Sequence, residues 1–99
     1  MRVISIKKLK DFLGNSKYKN SEQPLRAWHS EAKKANWKTP DDIKKQYRNA
    51  SFLSNNRVVF NIKGNDYRLI AAIKYEFQII YIRFIGTHKQ YDKINAKEI

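Results

Sequence analysis

The sequence predicts an α+β fold, with N-terminal helices packed on a small, mostly antiparallel β-sheet. Three observations predict it. Apolar residues recur at helical spacing as far as about Tyr47. Beyond Arg57 the chain turns to three β-rich runs separated by short connections. No linker, internal repeat or low-complexity stretch interrupts the 99 residues, so residues 1–99 are expected to form one domain with one modest core.

The elements follow in order. Arg2 to Ser5, with β-branched Val3 and Ile4, suits a short first strand, and Ser5 is a candidate cap for a helix beginning at Ile6. Ile6, Leu9 and Leu13 make an apolar stripe that Phe12 widens, while Lys7, Lys8 and Lys10 face elsewhere. Gly14-Asn15 ends this helix, and Ser16 to Asn20 is expected to be a polar, basic loop. A second helix starts at Ser21, with Pro24 tolerated in its first turn and Leu25, Trp28, Ala32 and Ala35 on one face. Trp37 comes after it and is expected to pin its end. Thr39-Pro40-Asp41-Asp42 opens a third helix that runs to about Tyr47. Lys44, Lys45 and Arg48 form a basic cluster read first as a solvated face. Ala50 to Asn56 is a connection anchored by Phe52 and Leu53.

The β-rich runs are Arg57 to Ile62, Asp66 to Lys74 and Gln78 to Ile85. Lys63-Gly64-Asn65 signals a hairpin between the first two, and Tyr75 to Phe77 is short enough for another antiparallel connection. The simplest arrangement is a three-stranded meander. Alternation places Ile80, Ile82 and Phe84 on one face of the last strand, and Ile79, Tyr81, Arg83 and Ile85 on the other. Arg68 shares a face with Ile70 and Ala72. A mid-strand Arg needs water or an anion, because an unpaired buried charge is costly. One sheet face is therefore expected to be partly open to solvent and lined with base.

Charge points the same way. Twenty-one basic residues stand against nine acidic ones, a net charge of +12. A surplus of that size implies a polyanionic partner: nucleic acid, an acidic protein or a membrane surface. Six Tyr, five Phe and two Trp tilt the choice toward nucleic acid, on whose bases aromatic rings stack. The absence of Cys excludes disulfides and Cys-ligated metal sites. No apolar run approaches the roughly 20 residues that span a bilayer, and charge enters too early for a signal peptide. The expectation is a soluble, cytoplasmic protein without a membrane partner.

No phosphate-binding glycine loop, dinucleotide fingerprint, zinc-protease motif or nucleophile triad is present, and two isolated His make a weak metal case. What remains is Arg68, His88 and Tyr91 as candidate catalytic residues, with Asn61, Lys63, Asn65, Arg83 and Lys89 as candidate RNA contacts. Cleavage of RNA by its own 2′-hydroxyl needs a proton acceptor, a cation for the dianionic phosphorane and a proton donor for the 5′ oxygen. Guanidinium suits the second task, and imidazole can give or take a proton near neutral pH. Tyr91 can donate a proton or hydrogen bond, or stack on a base. A structural network would use the same residue types. No carboxylate base is evident beside them.

Phe60-Asn-x-x-Gly-Asn-x-x-Arg-Leu-Ile, followed by Thr87-His-x-x-Tyr-Asp, resembles the HigB toxins of type II toxin–antitoxin modules, and more broadly the RelE-like toxins. The resemblance covers essentially the whole chain. It implies a RelE-like fold and an mRNA endonuclease, or mRNA interferase, acting on mRNA in the A site of translating ribosomes. It also implies neutralisation by a HigA-type helix-turn-helix antitoxin, and no metal or cofactor. Arg68 would contact the scissile phosphate, Lys63 and Lys89 would hold phosphate, and Tyr91 would stack or transfer a proton. His88 falls where these toxins place an acid or a cation, which leaves acid and base unassigned. Two alternatives stay open: a ParE-like toxin that poisons DNA gyrase, and a non-catalytic basic module that binds RNA or the ribosome.

Overall fold

The computed structural model describes residues 1–99. Strand β1 (Arg2–Ile4) leads to helix α1 (Ile6–Leu13), a 3₁₀ segment over Ser16–Ser21, helix α2 (Glu22–Lys34) and helix α3 (Pro40–Gln46). Strands β2 (Ser51–Leu53), β3 (Arg57–Ile62) and β4 (Tyr67–Lys74) follow. A 3₁₀ turn over Tyr75–Phe77, strand β5 (Ile79–Thr87) and helix α4 (His88–Tyr91) complete the order. The α+β class is as expected. The expected meander and short first strand are joined by an unexpected edge strand, β2, in a five-stranded sheet of order β1-β5-β4-β3-β2. Strand β1 runs parallel to β5 and the other pairs are antiparallel.

The helix stripes are where periodicity puts them. Leu9 of α1, Leu25, Trp28 and Ala32 of α2, and Ile43 of α3 are buried against the sheet. Val58, Phe60 and Ile62 of β3, Tyr67, Leu69, Ala71 and Ile73 of β4, and Ile80 and Ile82 of β5 face them. Trp37 is buried after α2 as expected, and its Nε1 donates to Gln46 Oε1 (3.1 Å). Phe60 is the hub, with ring centroids of Trp28, Trp37 and Tyr47 at 5.4, 6.2 and 5.2 Å. The Tyr47 hydroxyl donates to Glu31, and burial first, then that carboxylate, raises its pKa. The Met1 ammonium caps α2 by donating to the carbonyls of Ala32, Lys33 and Ala35.

Local readings needed correction in several places. Ser5 is left-handed (φ 70) and its side chain makes no cap, so α1 opens instead with the Ser5 carbonyl accepting from Lys8 N. Ser16–Ser21 is a 3₁₀ segment rather than an open loop. The Ser21 hydroxyl turns back to the Tyr18 carbonyl (2.6 Å) rather than capping α2. The connection after Ala50 contains edge strand β2, where Phe52 stays 38% exposed instead of anchoring it. The hairpin spans Lys63 to Asp66, because β4 begins at Tyr67, and β5 extends to Thr87. Thr39 and Asp42 do cap α3: Asp42 Oδ2 accepts from Lys38 N (2.9 Å) and Thr39 N (3.3 Å).

The decisive correction is a β-bulge. Ile70 pairs with Phe84 and Ala71 with Ile82, so Arg83 is the extra residue of β5. Alternation therefore resets. Ile80, Ile82 and then Ile85 pack on the helix side, while Phe84 moves to the second face with Ile70. That face is also less open than expected. Val59 and Ile70 are buried there, beneath the C-terminal segment. Arg57 Nε of β3 and Arg83 Nε of β5 both donate to the Ile99 carbonyl (3.0 and 3.4 Å), and Asn55 Nδ2 to the Lys97 carbonyl (3.2 Å). Solvent reaches this face at the Arg68 end. No helix is long and apolar enough to cross a membrane.

Phe60→Ala removes the central ring and is expected to cost about 3–5 kcal/mol in urea unfolding; a loss under about 1 kcal/mol would show that the hub carries little of the core. The Lys38 amide, followed by the Thr39 amide and nearby lysines, holds the Asp42 carboxyl below its ordinary value. Its contribution is thus complete above the unfolded carboxylate pKa and is lost as pH falls through the lower folded value. Asp42→Asn is expected to flatten the acid limb of a stability–pH curve, and an unchanged limb would contradict the cap.

Candidate active site

Arg68 lies in β4 opposite Asn61 of β3 on one side and Gly86 of β5 on the other. Being central, it is held laterally by both neighbouring ladders. Its Nη1 donates to the Asn65 carbonyl (3.1 Å) and, more weakly, to the Tyr67 carbonyl (3.5 Å). Its other N–H groups have no protein partner, so the fork is aimed but unfilled. The Tyr91 ring covers the guanidinium, with Cζ 5.7 Å from the ring centroid.

Tyr91 and His88 are positioned by α4, a single turn that needs strong local caps. Thr87 Oγ1 accepts from Gln90 N (3.2 Å), and Gln90 Oε1 accepts from Thr87 N (2.9 Å), a reciprocal capping box. The turn is tied to the β3–β4 hairpin where His88 N donates to the Asp66 carbonyl (3.1 Å). Four residues later, Asp92 Oδ2 lies 3.1 Å from His88 Nδ1, and both side chains are about half exposed. Assigning the proton to Nδ1 leaves Nε2 free to accept one from a ligand.

The hairpin completes the rim. Lys63 (φ 53) and Gly64 (φ 64) are consecutive left-handed residues, the backbone of a tight turn, and only the second is glycine. Lys63 Nζ pairs with Asp66 Oδ2 (3.1 Å), and Asn61 Nδ2 donates to Asn65 Oδ1 (3.3 Å). The fold thus gathers Arg68, His88, Tyr91, Asn61, Asn65 and Lys63 at one end of the sheet. Lys89 projects from α4 with no ion pair or hydrogen bond. Arg83 does not join this group; it sits on the bulge and reaches for Ile99.

Three residues escaped the sequence reading: Asp92, Asp66 and Gln90. The absence of a carboxylate beside His88 was wrong, because Asp92 is that carboxylate. His88 and Asp92 stand at i, i+4, and Thr87 and Gln90 at capping-box spacing, so both signals were present once a helical turn after β5 was admitted. His29 is remote on α2. Burial, then Lys33 and Arg26, lowers its pKa from the ordinary imidazole value. No three His, Asp or Glu side chains converge anywhere in the chain.

The arrangement offers an unfilled guanidinium fork, an aromatic ring over it and a carboxylate-oriented imidazole alongside. Those parts suit an anionic centre that gains charge while a proton moves. Arg68→Ala is expected to reduce the slope of log affinity against log salt by about 0.7 with a short single-stranded RNA, the value for one lost phosphate contact. An unchanged slope would place Arg68 off the phosphate path.

Comparison with known proteins gives a consistent picture. The family model of HigB toxins, RelE-like toxic components of toxin–antitoxin systems, matches residues 21–94. The chain is 34% identical to the mRNA interferase toxin HigB of Escherichia coli K12, an alignment covering 97% of this chain and 92% of that one. The mRNA interferase HigB of Shigella flexneri gives the same identity and coverage. A more distant mRNA interferase HigB, from Escherichia coli O6:H1, is 28% identical over 79% of this chain and 78% of its own.

Proposed function

The chain belongs to the HigB family of RelE-like toxins, the toxic components of toxin–antitoxin systems, and from that premise we propose that it is an endoribonuclease that cuts mRNA during translation. The observation that carries the reading is the unfilled Arg68 fork beneath Tyr91, with a carboxylate-paired imidazole beside it. The whole chain, residues 1–99, acts as one toxin domain in the cytoplasm.

His88 Nε2 takes the proton of the 2′-hydroxyl as that oxygen attacks the adjacent phosphorus. Asp92 accepts from Nδ1 and stabilises the imidazolium that forms. Arg68 pairs with the non-bridging oxygens as they gain charge in the phosphorane. The bond from phosphorus to the 5′ oxygen then breaks, and the Tyr91 hydroxyl supplies the proton that leaves with it. The products are a 2′,3′-cyclic phosphate and a 5′-hydroxyl end. Lys89 and Lys63 bind flanking phosphates, the latter by exchanging Asp66 for phosphate, and Asn61 and Asn65 hold the hairpin against the strand. These parts sit on an open rim, so the ribosomal A site completes the substrate alignment that the protein alone lacks. The partner that neutralises the toxin is a HigA-type helix-turn-helix antitoxin.

The test is primer extension on a reporter mRNA in an active translation extract, with a control in which translation is blocked. Wild type is expected to give translation-dependent cuts. His88→Ala and Arg68→Ala are each expected to lower the cleavage rate about 10²-fold or more. Undiminished cutting by both variants would overturn the site. Intact mRNA despite arrested growth would support gyrase poisoning instead, and intact mRNA without arrest a binding module.

A further inference from the structure

Strand β1 pairs with only the first residues of β5, from Ile79 to Tyr81. The outer edge of β5 beyond that point has no strand partner. Helix α1 and the 3₁₀ segment approach it there without closing on it, and a cavity of about 520 Å³ remains. Lys8, Asn15, Tyr18, Arg83 and Phe84 are among its lining residues. None of them has a part in the cleavage step proposed above, and Arg83, a candidate RNA contact from the sequence, lies here instead of with Arg68.

Three features describe the cavity's chemistry. First, its walls are aromatic: Phe12 and Tyr18 stack in parallel (centroids 4.4 Å, planes 3° apart), and Phe84 lines it too. Second, its free polar groups are donors. Lys8 has no ion pair, Arg83 spends only Nε on Ile99, and the Asn15 carbonyl oxygen accepts from Lys17 N, leaving its amide N–H₂ unused. The one acidic side chain, Asp11, faces Lys7 at 3.8 Å, and the main-chain oxygen of Ile99, which also lines the cavity, is already taken by Arg57 and Arg83. Third, the cavity adjoins the proposed cleavage centre through Phe84, Gly86 and Gln90. Phe84 lies two residues before Gly86, which is opposite Arg68. A Cβ on Gly86 would stand 2.5 Å from Phe84 Cζ and 2.8 Å from Gln90 Oε1, so the Phe84 ring reaches back over Gly86 because that residue has no side chain. Gln90 Nε2 in turn donates to the Tyr18 hydroxyl (3.2 Å), linking the α4 cap to the cavity wall.

We propose that this cavity is a nucleotide subsite, in which the base of an mRNA residue neighbouring the scissile phosphate stacks against Phe84 and Tyr18 while Arg83 and Lys8 hold its phosphate. Two residues along β5 is about 7 Å, the scale of a step to an adjacent nucleotide. Base–aromatic stacking supplies affinity without strict sequence choice, and the Asn15 amide adds a preference for a base that presents an acceptor. The bulge at Arg83 serves this site twice: it turns Phe84 to the Arg68 face and puts a guanidinium on the edge.

The proposal rests on the endonuclease reading, and two experiments separate their failures. The first is a two-dimensional NMR titration of Arg68→Ala protein with a 2′-O-methyl RNA trinucleotide, which cannot be cleaved. Shifts at Asn15, Tyr18, Phe84 and Arg83 are expected, lost or weakened at least tenfold in affinity in Phe84→Leu. Shifts confined to α4 and the hairpin, or an unchanged affinity in Phe84→Leu, would overturn the subsite whether or not the protein is a nuclease. The second is cut-site mapping in the translation extract. Asn15→Ala and Phe84→Leu are expected to redistribute cuts among codons and raise KM with kcat little changed. Gly86→Ala, which displaces the Phe84 ring, is expected to mimic Phe84→Leu while circular dichroism shows the fold intact. An unaltered cut pattern from folded Asn15→Ala and Phe84→Leu, with wild type still cleaving, would sink the subsite and leave the endonuclease reading standing.

Discussion

Strand β4 has to satisfy two faces at once, and much of the molecule follows from how it does so. Tyr67, Leu69, Ala71 and Ile73 face the helices, while Arg68, Ile70, Ala72 and Lys74 face the other way. A pleated strand cannot send Arg68 outward without also presenting Ile70 and Ala72 to the same side. The first needs water or an anion and the others need cover. The C-terminal segment resolves this by leaving α4 beside Arg68 and running back to Asn55, Arg57 and Arg83, which hold Lys97 and Ile99. The Arg68 end is therefore open because its neighbour is closed.

The cover is itself held by cations. Arg57 and Arg83, on the strands either side of β4, reach the same carbonyl of Ile99 from opposite directions. Part of the large basic surplus is thus engaged in holding the chain over its own sheet rather than awaiting a partner. The same economy appears at the hairpin, where Lys63 is neutralised by Asp66. Most of the 21 cations pair with no carboxylate; among them, Arg68, Lys89 and Lys8 lie on or near the path proposed for the RNA. Net charge indicates the partner's sign; where it binds depends on which cations the fold sets beside other groups able to hold the same ligand.

The single-turn helix α4 shows how a weak element can position side chains. A helix of four residues has no intrinsic stability. It persists because Thr87 and Gln90 cap each other and the hairpin accepts the His88 amide. Its turn then sets His88 against Asp92 and brings Tyr91 over Arg68. A carboxylate at Nδ1 fixes which imidazole nitrogen is left facing outward, and stacking restrains a long arginine at little further entropic cost. These gains depend on the register of β5, and so on the bulge two turns of pleat earlier.

The sequence by itself determined the α+β class, the helix stripes that bury Leu9 and Leu25, Trp28 and Ala32, the antiparallel core of the sheet and the choice of Arg68, His88 and Tyr91 as candidates. Those rest on local periodicity, capping and charge, which are written in neighbouring residues. The tertiary structure decided the rest. The parallel pairing of β1 with β5 joins segments more than seventy residues apart, and no local pattern encodes it. The bulge at Arg83 depends on which residue of β4 faces which of β5, so strict alternation placed Phe84 on the wrong face. The cover over Ile70 comes from a tail whose own sequence is unremarkably polar. Asp92 joined the site only when a helical turn closed behind β5. In each case the deciding term is the free energy of packing between distant segments, to which a reading of adjacent residues is blind.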